Sequence, residues 1–280
     1  MNQATLHRLV FGELTVQRIC LSICVIAVIS YCGFFLLLQV LAERVAFQPH
    51  PVEYLDSNQI LKLSAGDGSF ISARFLSNPA ARYTILYSHG NGEDLGDIIP
   101  TMHGLQGMGF SVFAYDYRGY GTSSGSASES NAYEDEELAY NYLIKELHVP
   151  PDSIIAYGHS LGGAMAVDLA SRKPLAGLVM ESTFVSGFRV LTRYPLFPFD
   201  RFRSLEKLKR TRCPVLIIHG RRDQIIPFWH GELLYESANQ PKQHLWIETA
   251  GHNDIAETGA GEIRAALASF CGELNRFDKL

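Results

Sequence analysis

Residues 154–172 read IIAYGHSLGGAMAVDLASR, a β-rich run that meets a helix-forming run at a serine set among glycines. Gly158-His159-Ser160-Leu161-Gly162 matches G-x-S-x-G. That pentapeptide carries weight only at a sharp turn between a strand and a helix, where the serine Oγ is left exposed. SIIAY leads in and LGGAMAVDLASR leads out, which is that setting. The structural alternative is a serine in a small-residue turn; the strand–turn–helix context predicts a nucleophile at Ser160.

Working outward, short β-rich runs alternate with helical stretches. Strands are expected at 59–64, 70–76, 83–88, 110–115, 154–157, 177–181, 214–219 and 244–248, and helices at about 95–108, 132–147, 160–172, 228–238 and 255–274. AGDGS separates the first two strands as a hairpin would. Continuous apolar strands such as VLII imply a parallel sheet covered on both faces. Eight strands, antiparallel at the start and then β-α alternating, predict one α/β domain over 46–280. Residues 184–212 interrupt the rhythm with Pro195, Pro198 and many aromatics, and predict a small cap of loops and short helices. The cap holds eight Lys/Arg against Asp200 and Glu206. This is a solvated basic loop or, on the sharper reading, a surface near anionic lipid headgroups.

A nucleophilic serine acting on a carbonyl needs donors for the developing oxyanion. One is the backbone N–H after the nucleophile, Leu161. The other belongs to the loop after the third strand, Ser88-His89-Gly90-Asn91-Gly92, and is assigned to Asn91 with Gly92 as the alternative. His89 is expected to hydrogen-bond within that loop. Of ten histidines, His159 is the nearest in sequence to Ser160, but side chains adjacent in a sharp elbow diverge, which leaves it a packing or loop hydrogen-bonding role. The chain order serine, acid, histidine points to His252, in AGHND after the eighth strand, and to Asp223, in HGRRD after the seventh. Glu181, ending the sixth strand, competes with Asp223. Asp254 reads as the start of a capping-box variant with Glu257, and Asp116 in YDYRGYG as a structural turn.

At the N-terminus, Ile19 to Ala42 is a run of 24 residues without charge, between Arg18 and Glu43-Arg44. As a helix it would span ~36 Å, enough for a hydrocarbon core of ~30 Å. Signal-peptide apolar regions are shorter, so the expectation is a tail at 1–18 and an uncleaved single-pass anchor at 19–42. Arg8 and Arg18 before the span, against Arg44 and Lys62 after it, tilt the N-terminus toward the cytoplasm. A net charge of −5 gives no reason to expect a nucleic-acid partner. The five cysteines form no C-x-x-C pair, so neither a zinc site nor a disulfide framework is indicated.

Taken together, SHGNGEDLG, YDYRGYGTSSG, VDLASR, SGFRV, PVLIIHGRRDQIIPFWHG and AGHND resemble the α/β-hydrolases, and within them the depalmitoylase group known as α/β-hydrolase-domain-containing protein 17 and its microbial relatives. The resemblance covers roughly 55–275. It implies the α/β-hydrolase fold, a Ser160–Asp223–His252 triad and serine esterase or thioesterase chemistry on an acylated small molecule, lipid or protein, with no metal or organic cofactor. Two features depart from the depalmitoylases. Their N-terminus is cysteine-rich and lipidated where this chain has an apolar span, and their elbow has Gln and Ile where this one has His159 and Leu161. Both bring the chain nearer to the microbial relatives, often labelled serine-peptidase-like. The rival readings are a peptidase, which should offer cap acids to an amine where this cap is basic, and a non-catalytic binding module.

Overall fold

The structure is a computed structural model that describes residues 15–197 and 199–277. It divides into two units between Glu43 and Arg44. The first is built on helix α1, Val16–Ala46, whose side chains include no buried residue. The helix outruns the expected 19–42 at both ends because backbone hydrogen bonding continues through Arg18, Glu43 and Arg44, where the uncharged run has stopped. Residues 1–14 of the expected tail lie outside the described residues.

The second unit is built on an eight-stranded sheet in the order β1-β2-β4-β3-β5-β6-β7-β8. The strands are β1 Leu61–Ser64, β2 Phe70–Leu76, β3 Thr84–Ser88, β4 Ser111–Tyr115, β5 Ile154–His159, β6 Gly177–Glu181, β7 Val215–Gly220 and β8 Lys242–Ile247. β2 pairs antiparallel with β1 and β4; every later pairing is parallel. This is the α/β-hydrolase fold with an eight-stranded, mostly parallel sheet. The helices are α2 Ile99–Gly107, α3 Glu129–Lys145, α4 Leu161–Arg172, α5 Ser204–Leu208, α6 Trp229–Ser237, α7 Ile255–Thr258 and α8 Ala260–Phe277.

Period-two alternation divides each buried strand between two cores. Val215 and Ile217 face one hydrophobic cluster and Leu216 and Ile218 the other, as do Ile154 and Ala156 against Ile155 and Tyr157. α8 covers the second cluster with Ile263, Leu267, Phe270 and Leu274, a single stripe at helical spacing. Burying such a side chain contributes about 1.5–3 kcal/mol, which is what fixes the helix to the sheet.

Three expected helices differ from those observed, each for a local reason. The segment expected from residue 95 begins helical geometry only at Ile99, because Asp94 Oδ1 accepts the Gly96 N–H at 2.7 Å and holds a turn there. α3 begins earlier than expected, at Glu129, because Ser128 caps it by accepting the Asn131 N–H. The single expected helix over 255–274 is two, broken at Gly259. The cap at 184–212 consists of a single turn at Phe188–Val190, loops and α5. Asp200 braces it, accepting from Ser186 Oγ, Phe188 N and Arg201 N.

Candidate active site

Parallel strands end at one rim, and the sheet order switches direction between β3 and β5, where ligands of open α/β sheets bind. The loops after β3, β5, β7 and β8 all open there. They carry Asn91, Ser160, Asp223 and His252 respectively.

Ser160 stands between β5 and α4 with φ 52° and ψ −115°. This backbone is one that L-residues rarely adopt, and it persists because its surroundings over-determine it. Ser160 N–H donates to Glu181 O at 2.9 Å, and Thr183 Oγ1 donates to Ser160 O at 2.7 Å. The flanking glycines are sterically compelled. A Cβ on Gly158 would lie 2.1 Å from Gly162 O, and one on Gly162 only 1.9 Å from Ser88 O. The helix therefore rises from the elbow almost in contact with β3.

From Ser160 a hydrogen-bonded chain runs inward. His252 Nε2 is 2.9 Å from Ser160 Oγ, and His252 Nδ1 is 2.7 Å from Asp223 Oδ2. All three residues are buried. Asp223 Oδ1 accepts the N–H groups of Ile225 and Ile226, and His219 Nε2 lies 3.4 Å from Oδ2 while bonding Ile226 O at 2.8 Å. Burial opposes the Asp223 charge, but hydrogen bonds from His219, His252 and the Ile226 backbone outweigh it and hold the carboxyl well below the usual carboxylate range. Asp223 is therefore ionised and fixed in orientation.

The loop after β3 is braced from beneath. Tyr117 Oη donates to His89 O at 2.7 Å, and Tyr120 Oη to Asn91 O at 2.9 Å. Gly90 N–H donates to Glu93 Oε2 at 2.6 Å. Leu161 opens α4, so its N–H has no carbonyl of a preceding helical turn to bond. YDYRGYG thus supports this loop rather than joining the chemistry. Asp116 within it accepts Leu95 N–H and the Tyr54 hydroxyl, a structural use. His89 is fully buried, with Nδ1 2.7 Å from Gly90 O, a bond inside its own loop.

The competing carboxylates are engaged elsewhere. Glu181 Oε2 accepts the Tyr157 hydroxyl. Asp254 corrects the capping-box reading: its side chain caps no helix but accepts Gly251 N–H at 2.7 Å, tightening the turn that presents His252. His159, expected to pack or to hydrogen-bond within a loop, does both: its ring lies 5.4 Å from that of His252, with Nδ1 3.3 Å from Glu93 Oε2. Glu93 and His219 are the neighbours that sequence reasoning passed over. Both stand in quoted motifs, SHGNGED and VLIIHG, but neither motif says which way the side chain points. Among the described residues, His50, Asp94 and Asp97 bring ligand atoms within 4.8 Å of one another. Their oxygens and nitrogens already bond each other and loop N–H groups, so they form a loop staple.

Comparison with known proteins places this geometry in context. The family described as "Serine aminopeptidase, S33" matches residues 79–196. Alpha/beta hydrolase domain-containing protein 17C of Xenopus laevis is 42% identical over 220 residues, covering 77% of this chain and 70% of that protein. The human protein 17B is 38% identical over 221 residues, covering 77% and 76%. Among solved structures, the Pyrococcus furiosus esterase Pf2001 superposes with a TM-score of 0.68 at 19% identity, over 81% of this chain and 98% of that one. Est1E from Butyrivibrio proteoclasticus, bound to ferulic acid, gives 0.64 at 17% identity over 77% and 99%.

Proposed function

The chain belongs to the α/β-hydrolases, in the family of α/β-hydrolase-domain-containing protein 17, and from that membership we propose that it is a membrane-anchored serine hydrolase cleaving acyl esters or thioesters. The observation that carries this reading is the hydrogen-bonded chain from Ser160 through His252 to Asp223. Ser160 Oγ bonds to the acyl carbon while His252 Nε2 takes its proton, and the carbonyl electrons move onto oxygen. The Leu161 and Asn91 N–H groups meet that oxyanion. Collapse breaks the bond to the alcohol or thiol, which leaves with the proton from His252. Water then adds by the same route and releases the acid. Asp223 holds the His252 tautomer and stabilises the imidazolium without taking the proton. No step calls on a metal or organic cofactor.

Two further observations support the choice of substrate and place. Large apolar side chains stay exposed on the cap, Leu191 at 72% and Tyr194 at 70%, with Ile225 at 53% in the acid loop, which suits an acyl chain or a lipid surface. Not every cap cation is available for headgroups: Lys207 pairs with Asp168 at 2.8 Å, and Arg203 with Glu206. Helix α1 is long and apolar enough to cross a bilayer and leaves its apolar side chains unburied. Its flanking charges favour a cytoplasmic N-terminus, which reporter fusions would check: an active C-terminal alkaline phosphatase supports it and a fluorescent C-terminal GFP overturns it.

A fluorophosphonate probe tests the chemistry. Wild-type protein is expected to label and Ser160→Ala to lose all labelling; unlabelled wild type, or equal labelling of both, overturns the reading. The description attached to the matched family makes a peptidase the second reading. Comparing p-nitrophenyl esters with aminoacyl anilides separates the two, and faster turnover of the anilides would favour the peptidase.

A further inference from the structure

Three loops of the site converge on one carboxylate and one imidazole that the mechanism above does not use. Glu93 Oε2 accepts Gly90 N–H at 2.6 Å in the loop after β3, and the same oxygen lies 3.3 Å from His159 Nδ1 on the serine elbow. The His159 ring in turn packs beside the His252 imidazole, with centroids 5.4 Å apart and planes inclined by 37°. His159 is nine-tenths buried. A buried imidazole bonded to one neighbouring loop and packed against another fixes their separation, because breaking the bond strands a desolvated group.

We propose that Glu93 and His159 form a clamp that holds the oxyanion loop, the serine elbow and the His252 loop in register and sets a balanced charge pair beside His252. Both are positioning residues, and the proposal rests on the serine-hydrolase reading. The pair is ionised at neutral pH. Burial works against the imidazolium of His159, but the hydrogen bond and charge of Glu93, with Glu181 farther off, raise it to about 9. Burial likewise opposes the Glu93 carboxylate, and His159 with His89 brings it down to about 2. The pair itself lines a cavity of about 620 Å³ together with Tyr87, Tyr157, Glu181, Glu257 and Arg264, and His89 and His252 also face it.

The two charges act on His252 in opposite directions. An imidazolium beside the base disfavours proton uptake, and a carboxylate favours it. Removing His159 should therefore leave the Glu93 carboxylate uncompensated and raise the proton affinity of the base, whereas removing Glu93 also lets burial strip the proton from His159, so that neither charge remains beside the base. His252 must be neutral to act, so its proton affinity sets the acidic limb of the rate against pH.

The test is the rate of fluorophosphonate labelling against pH for wild type, His159→Gln, Glu93→Gln and the double variant. His159→Gln should move the acidic limb upward by about one pH unit, and Glu93→Gln, in which burial leaves His159 neutral, should keep it near that of wild type. The double variant should return the limb toward wild type, with the plateau rate about 10- to 100-fold lower through lost register. A His159→Gln variant that labels with the wild-type limb overturns the clamp while leaving the hydrolase reading intact. Wild type that fails to label, or labels equally as Ser160→Ala, overturns the hydrolase reading and the clamp with it. Should a single variant not fold, side-chain NMR of wild-type protein decides: His159 protonated above pH 8 supports the clamp, and titration near the ordinary histidine value of 6.5 overturns it.

Discussion

Ser160, His252 and Asp223 are drawn from three loops, and Ser160 and Asp223 are held by backbone bonds that a sequence motif does not name. Asp223 accepts two N–H groups on one oxygen and His252 on the other. Asparagine at 223 would keep much of this shape while losing the charge that stabilises the imidazolium and orders its tautomer. Asp223→Asn is expected to lower kcat by about 10⁴-fold, read as acyl-ester turnover at saturating substrate. The Glu93–His159 pair makes a separate prediction about stability. His159 is raised above its unfolded value, so its contribution is fully present below about pH 6.5 and is lost as pH rises through about 9. Glu93 is depressed, so its contribution is present above about pH 4.5 and is lost as pH falls through about 2. The Tm advantage of wild type over His159→Gln should be greatest near pH 5–6.5 and narrow toward pH 9, as thermal melts across that range would record. The quoted motifs made Ser160, Asp223 and His252 legible as candidates because each sits at the end of a strand. Glu93 stayed illegible: its partner is 66 positions away, and no local spacing announces it.

At the scale of elements, the turn from β5 into α4 is set by close approach rather than by helix propensity. Gly162→Ala places a methyl 1.9 Å from Ser88 O, a backbone atom that cannot step aside. It should destabilise the fold by about 3 kcal/mol or more, read from urea unfolding, and probe labelling should fall with it. Apolar runs bounded by turn residues made β2 and β6 readable to the residue, and β3, β4 and β7 nearly so. Element ends were less legible because side-chain bonds set them. Ser128 starts α3, Asp94 delays α2, and Gly259 breaks the final helix, each through a local geometry that competes with periodicity.

For the whole molecule, the buried apolar residues among those described run from Phe47 to Leu274 and all belong to the unit that begins at Arg44. α1 contributes none of them. Deleting residues 1–43 should therefore leave a folded domain that labels like the full chain, and should move the protein from the detergent phase to the aqueous phase in a phase-separation assay. Retention of the truncated protein in the detergent phase would count against the anchor. The apolar N-terminal segment stands out by composition alone, since an uncharged run of that length has no counterpart in the rest of the chain.

The sequence by itself determined what depends on neighbours along the chain: the alternation of strands and helices, the apolar N-terminal run, and the elbow at Ser160. These follow from backbone stereochemistry and side-chain periodicity, which are local. Only the tertiary structure decided which side chains share a site across long separations. Glu93 meets His159 across 66 positions, beside the Ser160–His252 pair that the chain order had pointed to, and Asp254 turns from the helix it begins to the loop before His252. Such partnerships arise when parallel strands bring their ends to one rim, where burial leaves each polar group only the partners that packing supplies.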